Sequence, residues 1–84
     1  FWASWCGPCR MIAPVIEEVE TEIKNKAIIA KVNVDEQEYL SSKYGIMSIP
    51  SLFIFKNGEV VDKMVGIPRS DVKSTIIDLI ERNL

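Results

Sequence analysis

The sequence predicts an α/β domain built on a mixed β-sheet, and three observations carry that prediction. Apolar residues recur at helical spacing over 12–23 and again over 72–84. Two short apolar runs, 27–34 rich in β-branched residues and 51–55 in aromatic ones, have strand composition. Asn57-Gly58, between apolar segments, is the strongest short-range hairpin signal a sequence offers. With 84 residues, 48% hydrophobic and 26% charged, the chain has ordinary globular composition and suffices for one domain.

Ile12, Val15, Ile16, Val19 and Ile23 fall at i, i+3, i+4, i+7 and i+11, the apolar stripe of a helix from about Pro8 to Lys24. Pro8 suits the first turn, where a missing N–H costs nothing. Pro14 cannot donate to the Arg10 carbonyl and predicts a kink. "AIIAKVNV" (27–34) is apolar almost without alternation, as in a parallel strand buried on both faces. Asp35 and Glu38 form a capping box for a short helix through Tyr44, which Gly45 closes. "SLFIF" (51–55) is the next strand, and "EVVDKMV" (59–65) returns antiparallel after the Asn57-Gly58 turn. Ser70 then caps a last helix whose Val72, Ile76, Leu79, Ile80 and Leu84 face inward. No repeat or linker interrupts this order, so residues 1–84 are expected to form a single domain.

The net charge of −2, with no run of like charges, argues against a nucleic-acid surface. Apolar runs such as "LFIF" are far shorter than the roughly 20 residues of a membrane helix. No signal peptide is visible, and two cysteines are too few for a disulfide-stapled secreted scaffold.

Both cysteines stand in "WASWCGPCRMIAP" (2–14), two residues apart. A structural zinc site wants four ligands, and the chain has no His and no second cysteine pair. A purely structural disulfide closing so short a loop would remove little entropy from the unfolded chain and stabilise weakly. A redox couple makes better use of the position. Cys6 precedes a helix N-terminus, whose unpaired N–H groups and dipole favour a thiolate. Lowering a thiol pKa by one unit takes about 1.4 kcal/mol, within what a helix end supplies. From an unperturbed value near 8.5, that raises the thiolate fraction at pH 7 from roughly 3% to roughly 25%. Cys9, one turn into the helix, is expected to be more buried and less acidic. The positions therefore give Cys6 the attacking role and Cys9 the resolving one.

"FWASWCGPCRMIAP", "AKVNVD", "KYGIMSIPSLFIFKNGE" and the later "VG" resemble the thioredoxin family, and the resemblance covers the whole chain. Cys-Gly-Pro-Cys flanked by Trp is far more specific than a bare CxxC, and thioredoxin is itself a standard example of such a redox motif. The resemblance implies a thioredoxin-like fold, with helices on both faces of the central mixed sheet. It also implies a function, the reduction of disulfides in target proteins. Cys6 would open the target disulfide, Cys9 would release the reduced target, and a thioredoxin reductase would recharge the pair. NADPH and FAD belong to that reductase; this chain would bind no cofactor and no metal, and would carry electrons in its two sulfurs, as a cytoplasmic agent of redox homeostasis.

Other site residues follow from the same resemblance. Gly7 and Pro8 separate the cysteines, and Gly7-Pro8 favours a reductant over the oxidases and isomerases of the same fold. Pro50 matches the family's cis-proline beside the cysteines, leaving the Ile49 backbone free to pair with an extended substrate. Trp5, Ile49, Val65, Gly66 and Ile67 would form an apolar substrate-binding rim, with ordinary core as the alternative for Val65 and Ile67. Trp2 would support the site from beneath. Lys31, inside an apolar strand, must snorkel or find a partner; in the family it neighbours a buried aspartate that helps deprotonate the resolving cysteine. Arg10 and the remaining charges are expected to be solvated.

That aspartate would stand immediately before Phe1. The family's first strand, first helix and most of a central strand, between 27–34 and 51–55, are likewise absent, and Phe1–Ala3 are too few to replace that strand. The expectation is an N-terminally truncated thioredoxin domain, monomeric when full length. Folding alone, these residues would exchange strands between chains or stay molten, and resolution by Cys9 would be slowed. A non-catalytic binding subunit is the alternative from another functional class.

Overall fold

The computed structural model describes residues 1–84. Its elements are α1 (Gly7–Ile23), α2 (Glu38–Lys43), β1 (Ser51–Lys56), β2 (Glu59–Val65) and α3 (Val72–Glu81), with a 3₁₀ turn at Lys24–Lys26. Helix α1 runs unbroken through Pro14. Its apolar stripe delivers Ile12, Val19 and Ile23 to a core shared with Ile76 and Ile80 of α3.

Alternation along β1 places helices on both faces of the sheet. Leu52 and Ile54 lean on the α1–α3 core. Phe53 and Phe55 point the other way and join Phe1 and Tyr44, with ring centroids 5.3 Å apart for Phe1–Phe53 and 5.2 Å for Tyr44–Phe55. β2 pairs antiparallel with β1 across the Asn57-Gly58 turn. Both turn residues have positive φ, 54° and 82°, as the tight turn that matches strand twist requires.

Two of the three expected helix caps differ. Gly45 closes α2 as expected: its φ is 61°, and Ile46 N–H donates to the Ser41 carbonyl. The start of α2 is Gln37, without a side-chain cap, because Asp35 is drawn into a turn by Asn33. Helix α3 starts from Asp71, not Ser70, also without a side-chain cap. Leu84 lies beyond the end of α3 and is exposed rather than inward-facing.

The larger correction concerns residues 27–34, which form no strand. Only Asn33 is bridged, in parallel to Trp2, and residues 28–31 neither give nor receive a backbone hydrogen bond. The composition favours a strand, but a strand exists only through a neighbour, and the side facing β1 is empty. An open apolar cleft of about 1230 Å³ separates the two segments, lined by Ile16, Ile29, Leu52 and Ile54 among others. Ile28 is 96% exposed.

Phe1 and Trp2 close this cleft at one end. The Phe1 nitrogen donates to the Ser51 carbonyl (2.9 Å) and Ser51 N–H to the Phe1 carbonyl (3.3 Å). On the other side Trp2 N–H donates to Val32 and Val34 N–H to Trp2, both at 2.9 Å. Short as it is, this stretch bridges the two segments, though only at the end nearest the cysteines.

Candidate active site

The loop before α1 delivers Cys6 to the N-cap of that helix, with extended backbone (φ −85°, ψ 111°), while Cys9 lies in the first turn. Ala3 is fully buried beneath them, and Trp2, Val34 and Ile49 pack around the group. Cys6 and Cys9 are joined as a disulfide, Cα atoms 5.3 Å apart. The Cys9 amide donates to Cys6 Sγ at 3.2 Å. A sulfur thus takes the place usually held by a capping oxygen, where a partial positive field converges.

Burial does not separate the two cysteines, against expectation: each is 4% exposed. Cys6 is covered because Ile49 packs over it, its carbonyl oxygen 3.9 Å from Cys6 Sγ. What distinguishes the sulfurs is the amide, which is aimed at Cys6.

The structure brings Pro50 and the 65–67 segment to the same place. The Ile49–Pro50 bond is cis, and Pro50 is buried. Gly66, in a left-handed conformation (φ 84°) that favours glycine, donates its N–H to the Pro50 carbonyl at 2.8 Å. Neither backbone group of Ile49 has a backbone partner. Of the two rim residues with a core alternative, Val65 is 60% exposed, whereas Ile67 packs on the α1–α3 core. Trp2 packs under the cysteines. Gly7 carries no steric demand, since a Cβ there would meet nothing within 4 Å.

Lys31 neither enters the site nor finds a partner: it is exposed on the cleft margin, because residues 27–34 lack the sheet that would bury it. Arg10 is exposed, as expected. One residue missed by sequence reasoning is Asp35, whose Oδ2 accepts from Trp5 Nε1 at 2.8 Å. The two are 30 positions apart, and the capping-box pattern offered Asp35 a different role. Its place in the "AKVNVD" match was the one available signal.

The family model described as thioredoxin matches residues 1–81. A thioredoxin from Chlorobaculum thiosulfatiphilum is 53% identical over 77 residues, 90% of this chain and 71% of the relative. One from Rickettsia felis is 43% identical over 84 residues, 100% of this chain and 77% of the relative. One from Staphylococcus aureus is 49% identical over 78 residues, 93% and 75% respectively.

Proposed function

This chain belongs to the thioredoxin family, and on that premise we propose that it reduces protein disulfides with Cys6 as the attacking sulfur and Cys9 as the resolving one. The Cys9 amide directed at Cys6 Sγ carries this assignment. A thiolate on Cys6 keeps that hydrogen bond, strengthened by the charge, whereas a thiolate on Cys9 gains nothing from it.

The reaction balances as two exchanges. The Cys6 thiolate attacks one sulfur of a target disulfide, forming a Cys6–target bond and expelling the other target sulfur as a thiolate. Cys9, losing its proton, then attacks Cys6 Sγ, closes the Cys6–Cys9 bond and expels the second target thiolate. Two electrons have passed to the target, and the disulfide seen here is the oxidised end state. A reductase returns the electrons, with NADPH and FAD as its own cofactors.

The Ile49 backbone, free beside Cys6, would pair with an extended target segment, and Trp5 and Val65 would flank it. Pro50 and Gly66 hold that edge in place, and Trp2 supports it. The roles of Lys31, Gly7 and Ile67 rest on the resemblance alone. A cytoplasmic location suits a reductant. No helix is long and apolar enough to cross a membrane.

We further read residues 1–84 as a single thioredoxin domain, with the family's additional central strand belonging in the cleft between 27–32 and β1. The relatives' greater length and the Phe1–Trp2 hydrogen bonds to both margins support this.

Insulin reduction with dithiothreitol tests the sulfur roles. Cys6→Ser is expected to abolish catalysis, and Cys9→Ser to accumulate mixed disulfides on position 6. Wild-type activity from Cys6→Ser, or no trapped target with Cys9→Ser, would refute the assignment.

A further inference from the structure

Beside the target edge, a small pocket of about 130 Å³ opens between the loop that follows α2 and strand β2. A cavity of roughly 150 Å³ holds benzene, so this one has room for a single side chain. Met47 and Ser48, directly before Ile49, form one wall, and Val65, directly before Gly66, forms the other. Met47 is 96% exposed and Val65 60%, so neither wall is spent on the core. Tyr44 and Phe53 also line the pocket, their ring centroids 6.1 Å apart.

Lys63 stands at this pocket with its ammonium unpaired. It lies opposite Phe53 in the β1–β2 register, and its Nζ sits 5.9 Å from that ring centroid. None of the chain's ion pairs includes it. The neighbouring carboxylate, Asp62, is committed to Arg82 and Asn83. The Phe53 ring therefore restrains the cation at the pocket without neutralising it. Strand geometry sets the spacing: Lys63 and Val65 share a face of β2 about 7 Å apart, the repeat of two residues in any extended chain. A segment lying along Ile49 and Val65 carries its next same-side residue to Lys63.

We propose that Lys63, with Met47 and Val65, forms a second target subsite that selects disulfides flanked by an acidic side chain. The stem of a glutamate packs between Met47 and Val65, and its carboxylate meets the Lys63 ammonium. A glutamine gains the same walls without the charge, and a lysine meets like charge, so the subsite discriminates by attraction and repulsion together. Its effect belongs to target capture, and the exchange of sulfurs stays with Cys6 and Cys9.

This inference rests on the proposed disulfide reduction at the Ile49 edge, and the test separates the two. Short synthetic peptides with a single cysteine, oxidised to the symmetric dimer, carry Glu, Gln or Lys at successive positions on either side of that cysteine. Pre-reduced full chain is mixed with each peptide, and the second-order rate constant of reduction is read by acid quench and chromatography. An exposed ion pair predicts that, at one position, the Glu peptide reacts about two- to fivefold faster than its Gln counterpart, with the Lys peptide slowest. Lys63→Gln should abolish that difference, and Lys63→Glu should invert it so that Lys is favoured over Glu. Raising the ionic strength should narrow the wild-type preference. Equal rates for Glu and Gln peptides at every position overturn the subsite, as does a Glu preference that survives in Lys63→Gln. The Gln peptides report on the underlying reading. If wild type reduces them and Cys6→Ser does not, while charge has no effect, the subsite alone fails; if wild type is no faster than Cys6→Ser, the proposed function fails with it.

Discussion

Cys6 and Cys9 are equally covered, so access cannot order their reactivity and the field around each sulfur must. One backbone amide points at Cys6, with α1 behind it. In the reduced protein at neutral pH, iodoacetamide is therefore expected to modify Cys6 well before Cys9, by peptide mapping of a short pulse. Equal labelling would mean that the helix end does not polarise the pair. The cysteines themselves were legible in the sequence, because their spacing and Pro8 place one at a helix start and the other one turn in. Pro50 and its cis bond were legible only through family resemblance, since an X-Pro pair alone favours trans. The Asp35–Trp5 hydrogen bond was not legible. It joins two loops whose approach depends on the Trp2–Asn33 bridge, and no local pattern encodes that.

Elements defined by their own periodicity formed where the sequence put them, and the element defined by its neighbours did not. Helices α1 and α3 carry apolar stripes that find each other, and the hairpin turn is written in two residues. Ile76 is 1% exposed within the core it shares with Ile12 and Val19. Ile76→Ala is expected to cost about 2–5 kcal/mol, a large share of the stability of any small domain, with urea unfolding as the measure. A loss below about 1 kcal/mol would mean that the helices are not truly packed. Asp62 joins β2 to the end of α3. Its carboxylate accepts from Arg82 Nε at 2.9 Å and Asn83 Nδ2 at 2.8 Å, and these bonds, Arg82 first, lower its pKa from 3.8 to about 2. A depressed carboxylate pKa stabilises the fold above the unfolded value. That contribution is lost as pH falls from 3.8 toward 2. Thermal midpoints recorded from pH 5 down to pH 2 should fall less steeply for Asp62→Asn than for wild type, and parallel curves would remove the clamp.

At the scale of the molecule, residues 1–84 taken by themselves leave the cleft between 27–32 and β1 open. Only 11 of the 84 residues are buried, and the accessible surface is 5853 Å², against roughly 5,000 Å² for a compact monomer of this mass. The cleft is lined mainly by apolar side chains, and its two margins carry backbone groups free to pair, the arrangement that invites strand addition. Hydrogen exchange resolves the consequence by region. For residues 1–84 alone in dilute solution, amides of residues 28–31 should exchange at nearly the rate of a free peptide, while those around Val19 and Ile76 are the slowest. The cleft should also bind an environment-sensitive apolar dye. Raising the protein concentration should slow exchange at 28–31 in step with dimer formation seen by sedimentation, if one chain lends an extended segment to the cleft of another. Protection at 28–31 that is already complete in dilute monomer would show that these residues find their partner within the same chain, and that the cleft is closed in solution.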